Sequence, residues 1–397
     1  MVPDINTLII GFLALIFSGV LSFALTPLVR VFAIKIGAVD VPKDERRMHK
    51  NPTPLLGGLA IYIAFAVTVL MFGNLDRQTW GLLIGSAAIV TVGVIDDIYD
   101  LNPWVKLGGQ IIAASVPVLM GQVISYINIF GNYIFFGSWS IPVTIFWIVL
   151  LTNAVNLIDG LDGLACGVST ISAVSLMVFA ILRAEPSVAL ITAILTGACI
   201  GFLPSNSNPA KIFMGDTGAL SLGYILAVLS IQGLFKFSAV ISFVIPFMMF
   251  GLPFGDTFIA FFRRLLSGKD PFKGDRSHLH HKLIDLGFSQ KQSVTILYCI
   301  SAIFGIAAIM FSEERIAAAV MVIIVAIIIA LLNWKVFHSD DSTRKMTGFD
   351  LAQRDSKNIN ASPESSDTGL DKTSEKTDAP HETVSAVSSA APAFVKK

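Results

Sequence analysis

Long apolar runs alternate with short polar segments along most of the chain. A helix needs roughly 20 apolar residues to cross the hydrocarbon core of a bilayer. Runs of this kind cover residues 5–29, 54–73, 80–96, 104–121, 141–158, 163–182, 187–204, 217–234, 238–262, 293–311 and 315–335. Inside lipid only helices and closed barrels satisfy their own backbone, and long runs without alternation predict helices. The pattern therefore predicts an all-α, polytopic integral membrane protein of about eleven transmembrane helices.

Two segments depart from this pattern. Residues 122–140 mix aromatic, β-branched and turn residues, which predicts a short interfacial β-hairpin. From about His338 onward Ser, Thr, Ala, Asp, Glu and Lys dominate. Such a composition buries too little apolar surface to offset the entropy lost on ordering. We therefore expect a transmembrane domain over residues 1–337 and a disordered cytoplasmic tail over residues 338–397.

Composition and charge agree with a lipid environment. Of 397 residues, 54% are hydrophobic and 14% charged, whereas soluble domains carry about 25% charged residues. The formal net charge of zero argues against nucleic acid as a partner. If the loop 30–53 is cytoplasmic, sixteen Lys and Arg of residues 1–340 lie on that side and four on the other. By the positive-inside rule, the N-terminus is then outside and the C-terminus cytoplasmic.

Carboxylates and amides interrupt the apolar pattern at two helix ends. Asp96, Asp97 and Asp100 would repel one another unless a cation or a change of protonation relieves them. A solvated helix end is the alternative, and prenyl-diphosphate enzymes also use a DDxxD motif. In the second cluster, polar residues recur at intervals of three; they are Asn153, Asn156, Asp159 and Asp162. A capping turn is the alternative there, but polar groups at a membrane boundary are costly and usually functional.

Two further clusters combine basic residues with turns. Asn208 and Lys211 precede Asp216, which lies at an expected helix start, where backbone N–H groups can hold an anion and a carboxylate can face a metal. An N-cap is the alternative. The loop from Arg263 to Lys282 contains Arg276, His278, His280 and His281. It has no ligand spacing for zinc and indicates an anion or diphosphate clamp, with a solvated basic loop as the alternative.

Asp256 is embedded in an apolar helix and is either functional or paired with a neighbouring helix. The four clusters all fall on the predicted cytoplasmic side. They are therefore expected to form one active site at the cytoplasmic face of the membrane.

The clusters together resemble the polyprenyl-phosphate N-acetylhexosamine-1-phosphate transferases, known as glycosyltransferase family 4. The resemblance covers about residues 20–335. It rests on Asp96-Asp-x-x-Asp, Asn153-x-x-Asn-x-x-Asp-Gly-x-Asp-Gly, Asn208-Pro-Ala-Lys-Ile-Phe-Met-Gly-Asp-Thr-Gly, His278-x-His-His and a first loop ending Pro52-Thr-Pro-Leu-Leu-Gly-Gly. The His-x-His-His pattern is similar to that of the WecA/TagO-like branch, which uses UDP-GlcNAc and undecaprenyl phosphate.

The resemblance implies a bacterial plasma-membrane enzyme in which a lipid phosphate attacks the β-phosphate of the donor and UMP leaves. It implies Mg²⁺, with Mn²⁺ as a substitute, and ligands Asp216 and Asn156. The catalytic residues would be Asp96, Asp97, Asp159 and Asp162. The substrate-binding residues would be Lys106, Asn153, Asn208, Lys211, Arg276, His278, His280 and His281. Which member of the Asp96–Asp97 pair acts as the base stays open.

Several alternatives also stay open at this point. UDP-MurNAc-pentapeptide or UDP-GalNAc could replace UDP-GlcNAc, and the product could feed teichoic acid or O-antigen synthesis. A homodimer is one option for the oligomeric state. A secondary transporter is the competitor from another class, although transporters place such groups near the bilayer midplane and often in related halves.

Overall fold

The computed structural model describes residues 5–41, 52–129, 132–233, 244–266, 279–313 and 315–325. The chain divides into units Met1–Leu331 and Leu332–Lys397, and the described residues belong to the first. The helices are α1 (Ile5–Ile36), α2 (Gly57–Phe72), α3 (Arg77–Tyr99), α4 (Pro103–Leu119), α5 (Ser140–Leu157), α6 (Leu164–Leu182), α7 (Pro186–Asn206), α8 (Gly215–Gly233), α9 (Val244–Met249), α10 (Gly251–Leu266), α11 (Leu279–Asp285), α12 (Gln290–Ser312) and α13 (Ile316–Val325). The predicted domain boundary at residue 338 lies outside the described residues.

Each predicted apolar run overlaps a helix, so the mainly helical, multi-pass fold is confirmed. Within the described residues, six helical segments are both long and apolar enough to cross a membrane. They are α1, α3, the segment containing α5, α6, α7 and α12. The run 238–262 holds a break at Phe250 that separates α9 from α10. The total of eleven spans and the cytoplasmic position of the site stay predictions.

Helix α8 lies at the centre of the bundle. All of its residues from Thr217 to Gly233 are buried, and α2, α3, α5, α6 and α7 pack around it. Its Gly, Ser, Thr and Gln residues leave it outside the six candidate membrane-spanning segments. A helix enclosed by protein rather than lipid tolerates such residues, because neighbouring helices pack against small side chains and satisfy polar ones. Trp147 of α5, for example, donates its Nε1–H to Ser230 Oγ at 3.0 Å.

Helix α1 has the opposite environment. It packs mainly against α7 and α2, while large apolar side chains such as Phe12, Val20 and Phe23 are exposed. Exposed apolar side chains over 32 residues are expected where lipid is the solvent. At the α1–α7 contact, a Cβ added to Gly197 or Gly201 would collide with α1 carbonyls. This small-xxx-small pair therefore lets the two backbones approach closely.

Two short antiparallel strand pairs complete the described fold. The predicted hairpin within residues 122–140 is confirmed as β3 (Tyr126–Ile129) paired with β4 (Asn132–Phe135). The sequence did not reveal the other pair, β1 (Val39–Asp40) with β2 (Thr53–Pro54). Two residues per strand are too few to show an alternating pattern. This pair joins the ends of the first loop close to the start of α8.

Candidate active site

Asp97 holds the first turn of α8. Its Oδ1 accepts from the Asp216 backbone N–H at 2.8 Å. Its Oδ2 accepts from the Thr217 N–H at 3.0 Å and the Thr217 hydroxyl at 2.6 Å. These groups would otherwise be unsatisfied donors at a helix N-terminus. Both oxygens of Asp97 are therefore engaged in fixing the turn that carries Asp216.

The first residue of α8 is required to be a glycine. Gly215 has φ +70°, a left-handed conformation that glycine adopts at little cost. A Cβ on Gly215 would lie 2.5 Å from Asp97 Oδ2. Any side chain here would push the Asp97 carboxylate away from the N–H groups that it binds.

The end of the first loop supports the segment before α8 through its backbone. The Phe213 N–H donates to the Pro54 carbonyl at 2.8 Å, and the Phe213 carbonyl accepts from the Gly57 N–H at 2.9 Å. The Gly58 N–H donates to the Met214 carbonyl at 2.9 Å. A Cβ on Gly58 would overlap the backbone of Gly218. The two glycine-containing motifs therefore pack backbone against backbone.

Lys106 joins the polar clusters of three helices. Its Nζ lies 2.8 Å from Asp96 Oδ2 and 2.9 Å from Asp216 Oδ2. It also donates to Asn156 Oδ1 at 3.3 Å, and the Asn156 amide donates to Asp216 Oδ1. The other Asp96 oxygen accepts from the Leu101 N–H at 2.8 Å. One ammonium group thus faces two carboxylates at the ends of α3 and α8.

Asp162 anchors the loop between α7 and α8. Its Oδ2 accepts from the Asn208 amide at 2.9 Å and from the Ala210 N–H at 3.1 Å. Asn208 also donates to Gln290 Oε1, at the start of α12, at 2.6 Å. The Lys211 side chain on the same loop is exposed. Asp162 and Asn208 therefore hold the loop in place, and Lys211 extends from it.

Asp159 lies between α5 and α6 and lines the cavity described below. Burial, together with repulsion from the nearby carboxylates of Asp216, Asp97 and Asp162, raises the pKa of Asp159 to about 8. Each of these effects disfavours the ionised form. A bound cation would reverse the balance by lowering the repulsion.

The histidine cluster is only partly described. Arg276 and His278 lie outside the described residues. His280 is buried, and a Cβ on Gly160 would collide with its ring. The rings of His280 and His281 have centroids 4.3 Å apart, and His281 reaches the cavity. The glycine after Asp159 therefore makes room for His280.

Asp256 has a structural contact. Its carboxylate is buried on α10 and accepts from the Leu279 N–H at 2.7 Å, at the start of α11. It therefore ties α10 to the short helix that presents His280 and His281.

Asn153, expected to bind substrate, is turned toward α4. It accepts from Gln110 Nε2 at 3.1 Å and donates to Gln110 Oε1 at 2.6 Å and to the Val149 carbonyl at 2.8 Å. It is not among the cavity-lining residues of the described chain. Its function as a substrate ligand stays a prediction.

One open cavity of about 640 Å³ unites the clusters. Its carboxylates are those of Asp40, Asp96, Asp97, Asp100, Asp159, Asp162 and Asp216. Asn156, His281, Gln290 and the backbone of Gly215 also line it. Such a concentration of negative charge is costly in a partly buried site unless cations enter it.

Sequence reasoning missed Gln110 and Gln290. Gln110 follows Lys106 by four residues, so it shares a helical face with that lysine. This spacing was a usable signal. Gln290 gave no comparable signal, because it lies at the start of an apolar run, where a polar residue is ordinary.

Comparison with known proteins shows the family to which the chain belongs. The sequence pattern described as "Glycosyl transferase family 4" matches residues 79–234, which include the Asp96, Asn156 and Asp216 clusters. A probable undecaprenyl-phosphate N-acetylglucosaminyl 1-phosphate transferase of Bacillus subtilis is 39% identical over 307 residues, spanning 77% of this chain and 86% of the relative.

Two other relatives are named for different sugars, N-acetylglucosamine and N-acetylmuramoyl-pentapeptide. A decaprenyl-phosphate N-acetylglucosaminephosphotransferase of Mycolicibacterium smegmatis is 36% identical, over 79% of this chain and 86% of the relative. A phospho-N-acetylmuramoyl-pentapeptide-transferase of Limosilactobacillus fermentum is 31% identical, over 75% of this chain and 96% of the relative. With relatives covered over most of their length, this multi-pass membrane protein belongs to glycosyl transferase family 4 and is an enzyme.

Proposed function

We propose that the protein transfers GlcNAc-1-phosphate from UDP-GlcNAc to undecaprenyl phosphate at the cytoplasmic face of a bacterial plasma membrane. The products would be UMP and undecaprenyl-diphosphate-GlcNAc, a lipid precursor for cell-envelope polysaccharide. The observation that carries this proposal is the meeting of Asp96, Lys106, Asn156 and Asp216 at one point of an acidic cavity.

The residues present fit a Mg²⁺ ion. The described residues contain no group of three or more His, Cys, Asp or Glu arranged for a metal. Mg²⁺ does not need one, since it commonly uses one or two carboxylates together with substrate phosphates and water. Asp216 and Asn156 offer hard oxygen ligands at the cavity wall, and Mn²⁺ accepts the same ligands. When bound, such a cation would neutralise the charge of the donor diphosphate.

The reaction requires positioning and charge neutralisation more than covalent chemistry by the protein. An oxygen of the lipid phosphate bonds to the β-phosphorus of UDP-GlcNAc. The bond from that phosphorus to the oxygen bridging to the α-phosphate breaks, and UMP leaves with this oxygen. Asp96 would orient the lipid phosphate or accept its proton, because one Asp96 oxygen faces the cavity region shared with Lys106.

Lys106 would contact the phosphates once its carboxylate partners bind other cations. Lys211, exposed on its loop, would add a second positive charge near the donor. Asp159 would orient the uridine or the metal-bound water, and His280, His281, Arg276 and His278 would hold the sugar-diphosphate. Asp97, Asp162 and Asn208 would act mainly by holding the backbone that carries these groups, as their hydrogen bonds indicate.

GlcNAc is the donor sugar that the relatives favour. The Bacillus and Mycolicibacterium proteins are named for this sugar and are more similar to the chain than the pentapeptide transferase is. UDP-MurNAc-pentapeptide is the second candidate. A transporter is disfavoured, because the described polar groups gather at the ends of α3, α5 and α8 rather than midway along helices.

The test uses purified protein in detergent with undecaprenyl phosphate, Mg²⁺ and radiolabelled UDP-GlcNAc. Asp216→Asn should abolish the appearance of label in lipid and the release of UMP, as should chelation of Mg²⁺. Asp285→Asn is the matched control, because Asp285 is exposed on α11, and it should retain activity. Transfer from UDP-MurNAc-pentapeptide alone would reassign the donor. Folded protein that transfers from no UDP-sugar would refute the proposal.

A further inference from the structure

We propose that Gln110 is a positioning residue: paired with Asn153, it sets the register between α4 and α5 that holds Lys106 against Asn156 and Asp216. The expected effect on transfer activity rests on the proposed function, whereas the register between α4 and α5 does not depend on it.

The two helices meet through two successive pairs of polar side chains. Nearer the cavity, Lys106 of α4 donates to Asn156 of α5 at 3.3 Å. Deeper in the bundle, Gln110 and Asn153 exchange two hydrogen bonds of 2.6 and 3.1 Å. Lys106 and Gln110 are four residues apart on one helix, and Asn153 and Asn156 are three apart on the other. Residues at these spacings lie one above the other on a helical face.

The deeper pair is suited to fix the helices. Gln110 is only 2% exposed, and Asn153 uses both its oxygen and its amide nitrogen within α4 and α5. A buried amide left without a partner carries a desolvation penalty. Sliding α4 along α5 would separate both bonds together, so the pair favours one register.

That register matters because Lys106 contacts three groups at once. Its Nζ lies within 3.3 Å of atoms of Asp96, Asn156 and Asp216. A long, flexible side chain reaches all three only if its helix is placed accurately. Gln110, one helical turn deeper, supplies that placement without lining the cavity itself.

The first experiment compares four variants. Gln110→Leu and Asn153→Leu should each lower kcat, by on the order of 10–100-fold, as small misplacements of catalytic groups do, with little change in KM. The swap Gln110→Asn/Asn153→Gln keeps one amide of each length and should recover most of kcat. The pair Gln110→Leu/Asn153→Leu leaves no orphaned amide, so it should fold well yet stay slow. Restoration of kcat by the double leucine variant would overturn the proposal, because the pair would then only fill space.

The second experiment measures Lys106 directly and needs no donor substrate. The Lys106 side chain is 16% exposed, so an amine-reactive reagent should modify it slowly in the wild-type protein. Modification of Lys106, read by mass spectrometry, should accelerate in Gln110→Leu and return to the wild-type rate in the swap. Lys211, exposed on its loop, is the internal reference. Unchanged Lys106 labelling in a folded Gln110→Leu protein would refute the positioning function.

Thr152→Val provides the matched control. Thr152 is buried on α5 beside Asn153, but its hydroxyl donates to the Ile148 carbonyl of its own helix, at 2.7 Å, and to no other group of the described residues. This variant should leave both kcat and Lys106 labelling unchanged. If Gln110→Leu fails to fold, the swap and the double leucine variant still decide the question. If wild-type protein shows no transfer, the proposed function fails, while the labelling experiment still tests the register.

Discussion

The two adjacent carboxylates Asp96 and Asp97 are expected to respond differently to the same substitution. Asp97→Asn keeps one oxygen for the Asp216 N–H but turns an amide N–H₂ group toward the Thr217 N–H, which is a donor facing a donor. A hydrogen bond to a charged acceptor contributes about 1.5–3 kcal/mol, and an unsatisfied buried donor costs about 1–3 kcal/mol. We therefore expect the free energy of unfolding to fall by roughly 2–4 kcal/mol.

Asp96→Asn should affect stability much less. The Asn oxygen can still accept from the Leu101 N–H. The new amide nitrogen would face the Lys106 ammonium, but that side chain is flexible and partly exposed, so it can turn away while it keeps its ion pair with Asp216. The substitution also removes repulsion between two carboxylates that share one lysine. The change in unfolding free energy should stay within about 1 kcal/mol, whereas transfer activity should fall severely if Asp96 acts on the lipid phosphate.

Two measurements separate these expectations. Unfolding in detergent, followed by circular dichroism, reports stability. Binding of Mn²⁺, followed by electron paramagnetic resonance, reports whether Asp216 is still placed correctly. Asp97→Asn should weaken Mn²⁺ binding by roughly 10–100-fold, as loss of an outer-shell partner does. If Asp97→Asn has wild-type stability and Mn²⁺ affinity but no activity, then Asp97 takes part in the chemistry and the helix-capping account is wrong.

Two further substitutions test the electrostatics and the backbone of the site. Because the folded protein holds the Asp159 proton up to about pH 8 and the unfolded chain releases it near pH 4, stability falls as pH rises between these values. Asp159→Asn should therefore raise the unfolding temperature of chelator-treated protein more at pH 8 than at pH 5, and an equal gain at both would contradict the raised pKa. Gly215→Ala should lower stability by roughly 1–3 kcal/mol and impair transfer, because it combines φ +70° with a contact on Asp97. Gly108→Ala, on a helix with open space around it, is its control and should be neutral or slightly stabilising.

Much of the fold follows from the apolar runs, because a backbone in lipid must form helices and the runs mark where they lie. The break at Phe250 was missed although the sequence marks it: Pro253 has no N–H, and its ring would clash with the carbonyl of Met249, where α9 ends. The central position of α8 could not be predicted from the sequence. Its sequence resembles a weaker membrane span, and only the packing shows that protein surrounds it on all sides.

The sequence predicted which residues form the candidate site, but not what each of them contacts. The cluster of Asp96, Asp97 and Asp100 and the place of Asp216 at an expected helix start indicated carboxylates near a cation. Nothing in these motifs shows that Asp97 faces a helix N-terminus while Asp96 faces Lys106. Likewise, Asn153 and Asn156 look equivalent in sequence. The structure turns one toward Gln110 and the other toward Asp216, a difference that depends on which helix packs next to each face.

The enclosure of α8 limits how the enzyme could be re-engineered. Asp216 sits at one end of a helix in which every following side chain touches another part of the protein, so almost any change of volume there would propagate to the residues around it. A library intended to accept a different sugar should therefore leave residues 217–233 untouched. Substitutions should instead be made in the peripheral segments that line the cavity, such as those around Asp40, His281 and Gln290. There a new side chain can alter the space available to the donor while the central helix keeps its place.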